Sequence, residues 1–469
     1  MEDPVLSIFK ESLVEKNVTF LLGAGASSPY FSSLGSFEEI LSSEAVSQDG
    51  KNLIKSLFYL QSIKDNIFIQ RFMNDTCYCH DKGDTMLSII DEYSRFLYNG
   101  LEFLKVRNSR ISPKRINVIT TNYDLFIESA IDQLLEENPR VFFNDGTNGY
   151  GKKLISTDNF NKTLLYSGVF DNYSNEMPAI NLIKCHGSVN WKEYTRKERP
   201  SKIQVTTNEK IIADLNCDLD LVIQDINQHL KDNYFIYDFD SLESLINKIN
   251  SNEPIEHLFA PLNEIAGSIK ENLLKLTEKI DNLQIVLPTK KKFETTLIQE
   301  HYFNMLRLLS YELEKKQSLL IVFGFSFQDE HITDIVQRSL NNPSLLVIVF
   351  CFTDHDKVKI IQQFNFSVNN APINLKFITP ETFFIEEIKE KDIESNLYSR
   401  YTIVKKEGKL FKYSNVVSLL ENEEAGTSTP ILNFSSINKL IEMDIVNKYE
   451  TFNNDEVEEV LEYDVGEIE

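Results

Sequence analysis

The sequence predicts an α/β fold: a Rossmann-like, doubly wound parallel sheet with helical insertions and a small C-terminal extension. Three observations lead there. Short apolar runs at 18–22, 116–119, 180–185, 319–323 and 345–352 alternate with segments of helical periodicity, the signature of strands joined by crossover helices. The run from Leu345 to Phe352 is almost entirely apolar, as expected of a strand covered on both faces. Four of these runs end in short polar or glycine-bearing turns, and open α/β sheets bind ligands beyond the carboxyl ends of their strands.

Taken in order, residues 4–16 read as an amphipathic helix, and Val18–Leu22 as a strand that breaks into Gly23-Ala24-Gly25-Ala26-Ser27. Residues 35–107 carry helical spacing (Ile54, Leu57, Phe58, Leu60, then Leu87, Ile90, Tyr93, Phe96, Leu97) and form a first helical insertion. A strand follows at Ile116–Ile119, then a helix from about Asp124 to Leu135, short strands near Val141–Phe143 and Leu164–Tyr166, and a stronger strand at Ile180–Cys185. Residues 192–283 are a second insertion, with a polar opening and helical patterns at Leu219–Leu230, Leu242–Ile249 and Leu258–Leu283. Strand signals return at Ile285–Leu287. A helix at about Phe293–Leu313, the strand Leu319–Phe323, the helix Glu330–Leu340 and the strand Leu345–Phe352 complete the alternation. The expected division is a catalytic domain over 1–370 and a C-terminal extension over 371–469. The extension has β-like runs at Leu375–Ile378, Tyr401–Val404 and Val416–Leu420 and an acidic tail, and is a candidate assembly surface.

The chain has 469 residues, with 48 Lys+Arg against 71 Asp+Glu and a net charge of -23. Such a surface repels phosphate backbones and argues against direct nucleic-acid binding. The short basic runs Lys290–Lys292 and Lys405-Lys406 read as solvated clusters. The N-terminus, MEDPVLSIFK, has no leader pattern, and no apolar run approaches the ~18 residues of a membrane span. A cytoplasmic protein with no membrane contact is the expectation. The five cysteines (Cys77, Cys79, Cys185, Cys217, Cys351) are odd in number and scattered, against a disulfide framework. Cys77-Tyr78-Cys79-His80 lacks the second ligand pair that zinc needs, so no metal and no zinc are expected.

The four turns carry the chemistry. In the first, glycines allow backbone N–H groups to approach a pyrophosphate, and a following helix start adds positive potential. The second, Thr120-Thr121-Asn122-Tyr123-Asp124, places Asn122 and Asp124 where a ligand would lie; Asp124 or Thr121 would equally serve as a helix cap. The third, Lys184-Cys185-His186-Gly187-Ser188-Val189-Asn190-Trp191, puts His186 at a strand end, either structural or a base near neutral pH. Trp191 reads as a core or rim aromatic. In the fourth, from Gly324 to Ile332, Ser326 and Asp329 are candidate caps, Ser326 is also a candidate nucleotide contact, and His331 is structural.

This ordered set (GAGAS, TTNYD, KCHGSVNW, GFSFQDEHI) resembles the sirtuin family, and more closely the bacterial sirtuin-like branch that destroys NAD in phage defence. The segment LPTKKKF at 287–293 resembles a stretch of that branch as well. The resemblance covers roughly 14–355, with 192–283 unmatched. It implies that Gly23, Ala24, Gly25 and Ser27 line the pyrophosphate pocket, with Thr121 beside them in the cofactor-binding set. It also implies that Asn122 and Asp124 contact the nicotinamide ribose and the attacking water, that His186 is the catalytic base, and that Gly324 and Ser326 hold the adenosine side. Two departures from the deacylase pattern stand out: TTNYD replaces the usual TQNID, and the zinc module of two CxxC pairs is missing. The activity so implied is an NAD glycohydrolase, the NAD-depleting effector of abortive infection. NAD is its substrate rather than a cofactor, and its gating partners would be further copies of itself or a HerA-type ATPase. An NAD-dependent protein deacylase or ADP-ribosyltransferase, and a non-catalytic NAD or ADP-ribose sensor, are the alternatives.

Overall fold

The computed structural model of the chain describes residues 4–31, 37–76, 81–107, 113–167, 174–197, 199–232, 256–287, 296–366, 371–388, 401–406, 408–422 and 427–443. The sequence features at Cys77–His80, Leu242–Ile249 and Lys290–Lys292 and the acidic tail from Asn453 lie outside the described residues.

Seven parallel strands form the central sheet: β1 (Asn17–Leu22), β2 (Arg115–Thr120), β3 (Phe142–Asn144), β4 (Ala179–Lys184), β5 (Ser318–Phe323), β6 (Leu345–Phe350) and β7 (Leu375–Ile378). Their spatial order is β7-β6-β5-β1-β2-β4-β3. The chain leaves β1 toward one edge and later returns to its other side as β5, which creates a switch point between β1 and β5, the place where doubly wound sheets hold ligands. Side chains alternate between the faces with the strand period of two. Phe20, Leu22, Val118 and Ile321 join the core beneath α1 (Pro4–Glu15), α2 (Gly83–Val106) and α3 (Phe126–Glu137). Leu21, Ile119, Val322 and Val347 join the core beneath α4 (Thr296–Glu314), α5 (Glu330–Ser339) and α6 (Asp354–Gln363). Both faces are covered, so β4, β5 and β6 are buried along their whole length.

One row of the sheet is polar. Asn144, Asn181 and Asn117 stand in register on adjacent strands, with amide bonds of 2.9 Å from Asn144 Nδ2 to Asn181 Oδ1 and 2.8 Å from Asn181 Nδ2 to Asn117 Oδ1. Buried amides left unpaired cost about 1–3 kcal/mol each, so a one-residue slip would break the row as well as expose the apolar set.

The two insertions, far apart in sequence, pack into a single helical body. Gln48–Ser62 from the first lies against Phe259–Ser268 and Lys270–Asp281 from the second. Leu53, Leu57, Leu262, Leu273 and Leu276 fill the space between. The rim is tied by Lys55 Nζ to Asp281 Oδ1 at 2.6 Å and Tyr59 Oη to Asn216 Oδ1 at 2.8 Å.

Three expectations change. The polar opening of the second insertion is an antiparallel strand pair, Trp191–Arg196 with Arg199–Val205. Its outward positions are charged, which hides the strand period. Ile285–Leu287 is buried but makes only one bridge, from Ile285 to Gly187, instead of a strand. Leu375–Ile378 is the edge strand of the central sheet, paired in parallel with β6, and so falls past the boundary expected at 370. The remaining extension forms a three-stranded sheet (Phe384–Ile388, Tyr401–Lys406, Lys409–Ser414), a two-stranded pair (Ser418–Asn422, Thr427–Ile431) and a helix over 434–443. Among the described residues no helix is long and apolar enough to cross a membrane.

Candidate active site

The four sequence islands meet at one end of four neighbouring strands. Phe323, Leu22, Thr120 and Lys184 share one register row across β5, β1, β2 and β4. The residues just beyond that row are Gly324, Gly23, Thr121 and Cys185. The fourth island therefore lies beside the first, at the switch point, and the second and third follow.

The first and fourth turns touch backbone to backbone. Gly23 N–H donates to Phe323 O and Gly25 N–H to Gly324 O, each at 3.0 Å. A methyl group on Gly25 would lie 2.7 Å from Gly324 Cα, and one on Gly324 would lie 2.7 Å from Ala26 N, where the backbone also has φ +64°. These glycines are required by the closeness of the two turns. Ala24, Gly25 and Ser326 are exposed at the mouth between them, and Thr121, half-buried, donates its N–H to Leu22 O.

Beneath the mouth, Ser27 organises Asn122 and Asp124. Its hydroxyl donates to Asp124 Oδ2 at 2.7 Å and accepts from Asn122 Nδ2 at 3.1 Å. Tyr93 Oη lies 3.1 Å from the same oxygen. A hydroxyl has one proton and two lone pairs; with its proton on Asp124, Ser27 is saturated and Tyr93 must be the donor. Burial holds the Tyr93 phenol well above its ordinary range, so that donor proton stays in place. Asn122 Nδ2 gives its other proton to Gly23 O at 3.0 Å. A carbonyl oxygen only accepts, so the amide orientation is fixed, with Oδ1 as the acceptor of this buried side chain.

Asp124 is 6% exposed. Desolvation raises its pKa, against the opposing effects of Lys184 and of the Ser27 hydrogen bond. Its Oδ1 accepts from Phe126 N–H at 3.3 Å in the turn that enters α3; the N-cap position itself is Leu125, which has no side-chain cap. Lys184 is the counter-charge. Its ammonium donates to Asp124 O, to Glu128 Oε1 at 2.6 Å and to Ser188 Oγ at 3.0 Å, which uses all three of its protons.

His186 stands on the turn after β4, with Gly187 at φ +83° turning the chain. Its Nε2 lies 3.0 Å from Asp329 Oδ2. The Asp329 carboxylate also accepts from Tyr302 Oη at 3.1 Å and from the His331 and Ile332 N–H groups at 3.1 and 3.2 Å. That setting, at the N-terminus of α5, suits an ionised carboxylate. With that carboxylate ionised, the contact between Nε2 and Oδ2 is one in which the imidazole donates. The His186 ring stacks 6.4 Å from Tyr123, the residue between Asn122 and Asp124, so the second and third islands are in contact.

Three contributors escaped the sequence reading: Tyr93, Tyr302 and His301. Each sits in a helix with ordinary apolar spacing, and nothing local marks it. His301 donates from Nε2 to Lys184 O at 3.0 Å and packs edge-on against Trp191 at 4.8 Å; burial lowers its pKa to about 4. A cavity of about 510 Å³ opens at the opposite end of the sheet, near Lys105, Lys114 and Arg140, and no candidate site residue lines it. Lys105 and Arg140 lie where α2 and α3 end, positions that cations favour, and Lys114 just before β2. Among the described residues no group of three or more His, Cys, Asp or Glu side chains is arranged to hold a metal ion.

No family model and no curated protein matches this chain.

The arrangement supplies a glycine-lined mouth at the switch point, an oriented amide oxygen on Asn122 and an oriented imidazole on His186. The N–H groups of Gly23, Gly25, Ala26 and Ser27 are spent on Phe323 O, Gly324 O, Gly23 O and Ala24 O, so the first turn meets the fourth with its backbone donors already paired.

Proposed function

We propose that the chain is an NAD glycohydrolase, which converts NAD and water into nicotinamide and ADP-ribose. The observation that carries the reading is the pair Asn122 and His186, oriented by separate hydrogen-bond networks beyond adjacent strands of a doubly wound sheet. The likeness of the four islands to sirtuin-like NAD hydrolases supports the same choice of substrate.

The chemistry follows from the groups available. The bond between nicotinamide and ribose breaks toward an oxocarbenium-like centre, and nicotinamide departs as a neutral pyridine that needs no proton. Asn122 Oδ1 accepts one proton of a water and so points a lone pair of that water at the anomeric carbon. His186 Nδ1 takes the other proton as the C–O bond forms. Asp329 stabilises the imidazolium. Positioning and proton transfer are each worth orders of magnitude in rate. Asp124 and Ser27 hold Asn122 in place from beneath, and the exposed Ala24, Gly25 and Ser326 face the dinucleotide.

An NAD-consuming effector of phage defence must be held in check. The reading therefore includes gating by assembly, with further copies of the chain or with a HerA-type ATPase. The test is nicotinamide release from NAD by the purified chain, alone and with the product of the neighbouring gene. Release that disappears in Asn122→Ala and in His186→Ala, with both variants folded, is the expected result. Tight binding of ADP-ribose with no release under either condition would replace the hydrolase with a sensor. Release dependent on an acyl-lysine peptide would indicate a deacylase.

A further inference from the structure

Ser27 receives its third hydrogen bond from outside the four islands. The donor, Tyr93, lies in α2 and is fully buried. Its ring packs against Phe434 at 4.8 Å, and Phe434 is stacked on Phe323 at 5.4 Å with 12° between the planes. Phe323 is the last residue of β5, next to Gly324. One ring from the C-terminal extension thus supports both the tyrosine that completes Ser27 and the strand end that carries the fourth island. The helix that begins with Phe434 is fastened to α2 by Asn438 Nδ2, which donates to Glu92 O at 2.8 Å and to Glu92 Oε2 at 2.7 Å, and by Arg95 with Glu442 at 3.4 Å.

We infer that Tyr93 is a positioning residue for Asn122 and Asp124, acting through Ser27, and that Phe434 seats it, so the segment 434–443 is a working part of the catalytic apparatus. The inference rests on the glycohydrolase reading for its consequence in rate, though not for its geometry. Without the Tyr93 proton, one lone pair of Ser27 is left empty in a buried site. Ser27 then keeps its bonds to Asp124 and Asn122 but is held by two contacts in place of three, so the acceptor it offers the Asn122 amide is fixed less firmly. Substrate affinity, set at the exposed mouth, does not depend on that bond, whereas alignment of the water does.

The experiment compares Tyr93→Phe and Phe434→Leu with Leu313→Ala, a large-to-small change in the opposite core, whose effect is on stability alone. In the first two, kcat falls about ten- to a hundredfold with KM within about twofold, while Leu313→Ala leaves kcat unchanged. Amide hydrogen exchange at 23–27 and 121–126 quickens about tenfold in the first two and not in the third. An unchanged kcat, or exchange that rises equally throughout the fold, overturns the inference. If the wild-type chain releases no nicotinamide, the glycohydrolase reading fails by itself, and the exchange data still decide whether Tyr93 and Phe434 position the site.

Discussion

Asp329 and His186 are 143 residues apart in the chain, yet Oδ2 of one lies 3.0 Å from Nε2 of the other. The same carboxylate caps α5 and accepts the Tyr302 hydroxyl. One side chain therefore holds the ring of the candidate base and the start of the helix that follows the fourth island.

Asp329→Asn separates these two roles. The amide oxygen can still cap α5, so thermal stability changes little. The amide nitrogen is a donor facing His186 and favours the wrong tautomer. Nicotinamide release should fall by about two to three orders of magnitude, as steady-state kinetics would show. Tyr302→Phe keeps the capping bonds and the carboxylate, and should cost about 1 kcal/mol of stability with a smaller loss of rate.

Gly324→Ala and Gly267→Ala should act in opposite directions. At Gly324 the new methyl group meets Ala26 N at 2.7 Å on a backbone with φ +64°. The cost is about 1–3 kcal/mol, together with weaker binding of ADP-ribose as the two turns part. Gly267 lies in the helix Phe259–Ser268 with open space around it, and alanine there should stabilise by about 0.5–1 kcal/mol. Urea unfolding and calorimetric titration read both effects.

Lys184→Met removes the counter-charge from Glu128, whose Oε2 already lacks a partner and whose pKa burial raises. Breaking a buried pair on one side costs about 3–5 kcal/mol. The double change Lys184→Met with Glu128→Leu should recover part of that loss. A denaturation midpoint for the double variant below that of the single would show that the ion pair is not what Lys184 supplies.

His301 gives the fold an acid limb. Its pKa is lowered from 6.5 to about 4 by burial. Above 6.5 both folded and unfolded chains hold it neutral, and its full contribution is present. As pH falls from 6.5 toward 4, the unfolded chain binds a proton that the folded chain refuses, so stability falls, by up to about 3 kcal/mol. His301→Gln keeps a donor for Lys184 O and removes the titration. Its melting temperature should therefore decline less than that of the wild type across this window.

The strands of the central sheet were legible because burial on both faces leaves continuous apolar runs, as at Leu345–Phe350. The turns that carry Gly23, Asn122, His186 and Gly324 were legible because a strand end places its next residues at the mouth whatever the rest of the chain does. The pairing of His186 with Asp329 was not, since it depends on how far α5 lies from β4, a distance set by packing. Tyr93 and Tyr302 were silent for a related reason: their rings satisfy the helical apolar pattern, and only the hydroxyl, invisible to periodicity, does the polar work. The strand pair Trp191–Arg196 with Arg199–Val205 was missed because its solvent face is charged.

The contact of the first turn with the fourth has a consequence for how the molecule comes into being. Asn17 pairs with Ser318, and Gly25 with Gly324, so the two walls of the crevice come from segments that lie far apart in the chain, the second made well after the first. Phe434 arrives later still. Until those segments have been synthesised and docked, β1 has an open edge where the crevice should be. A polypeptide in which β5 has not yet docked on β1 therefore lacks the crevice altogether.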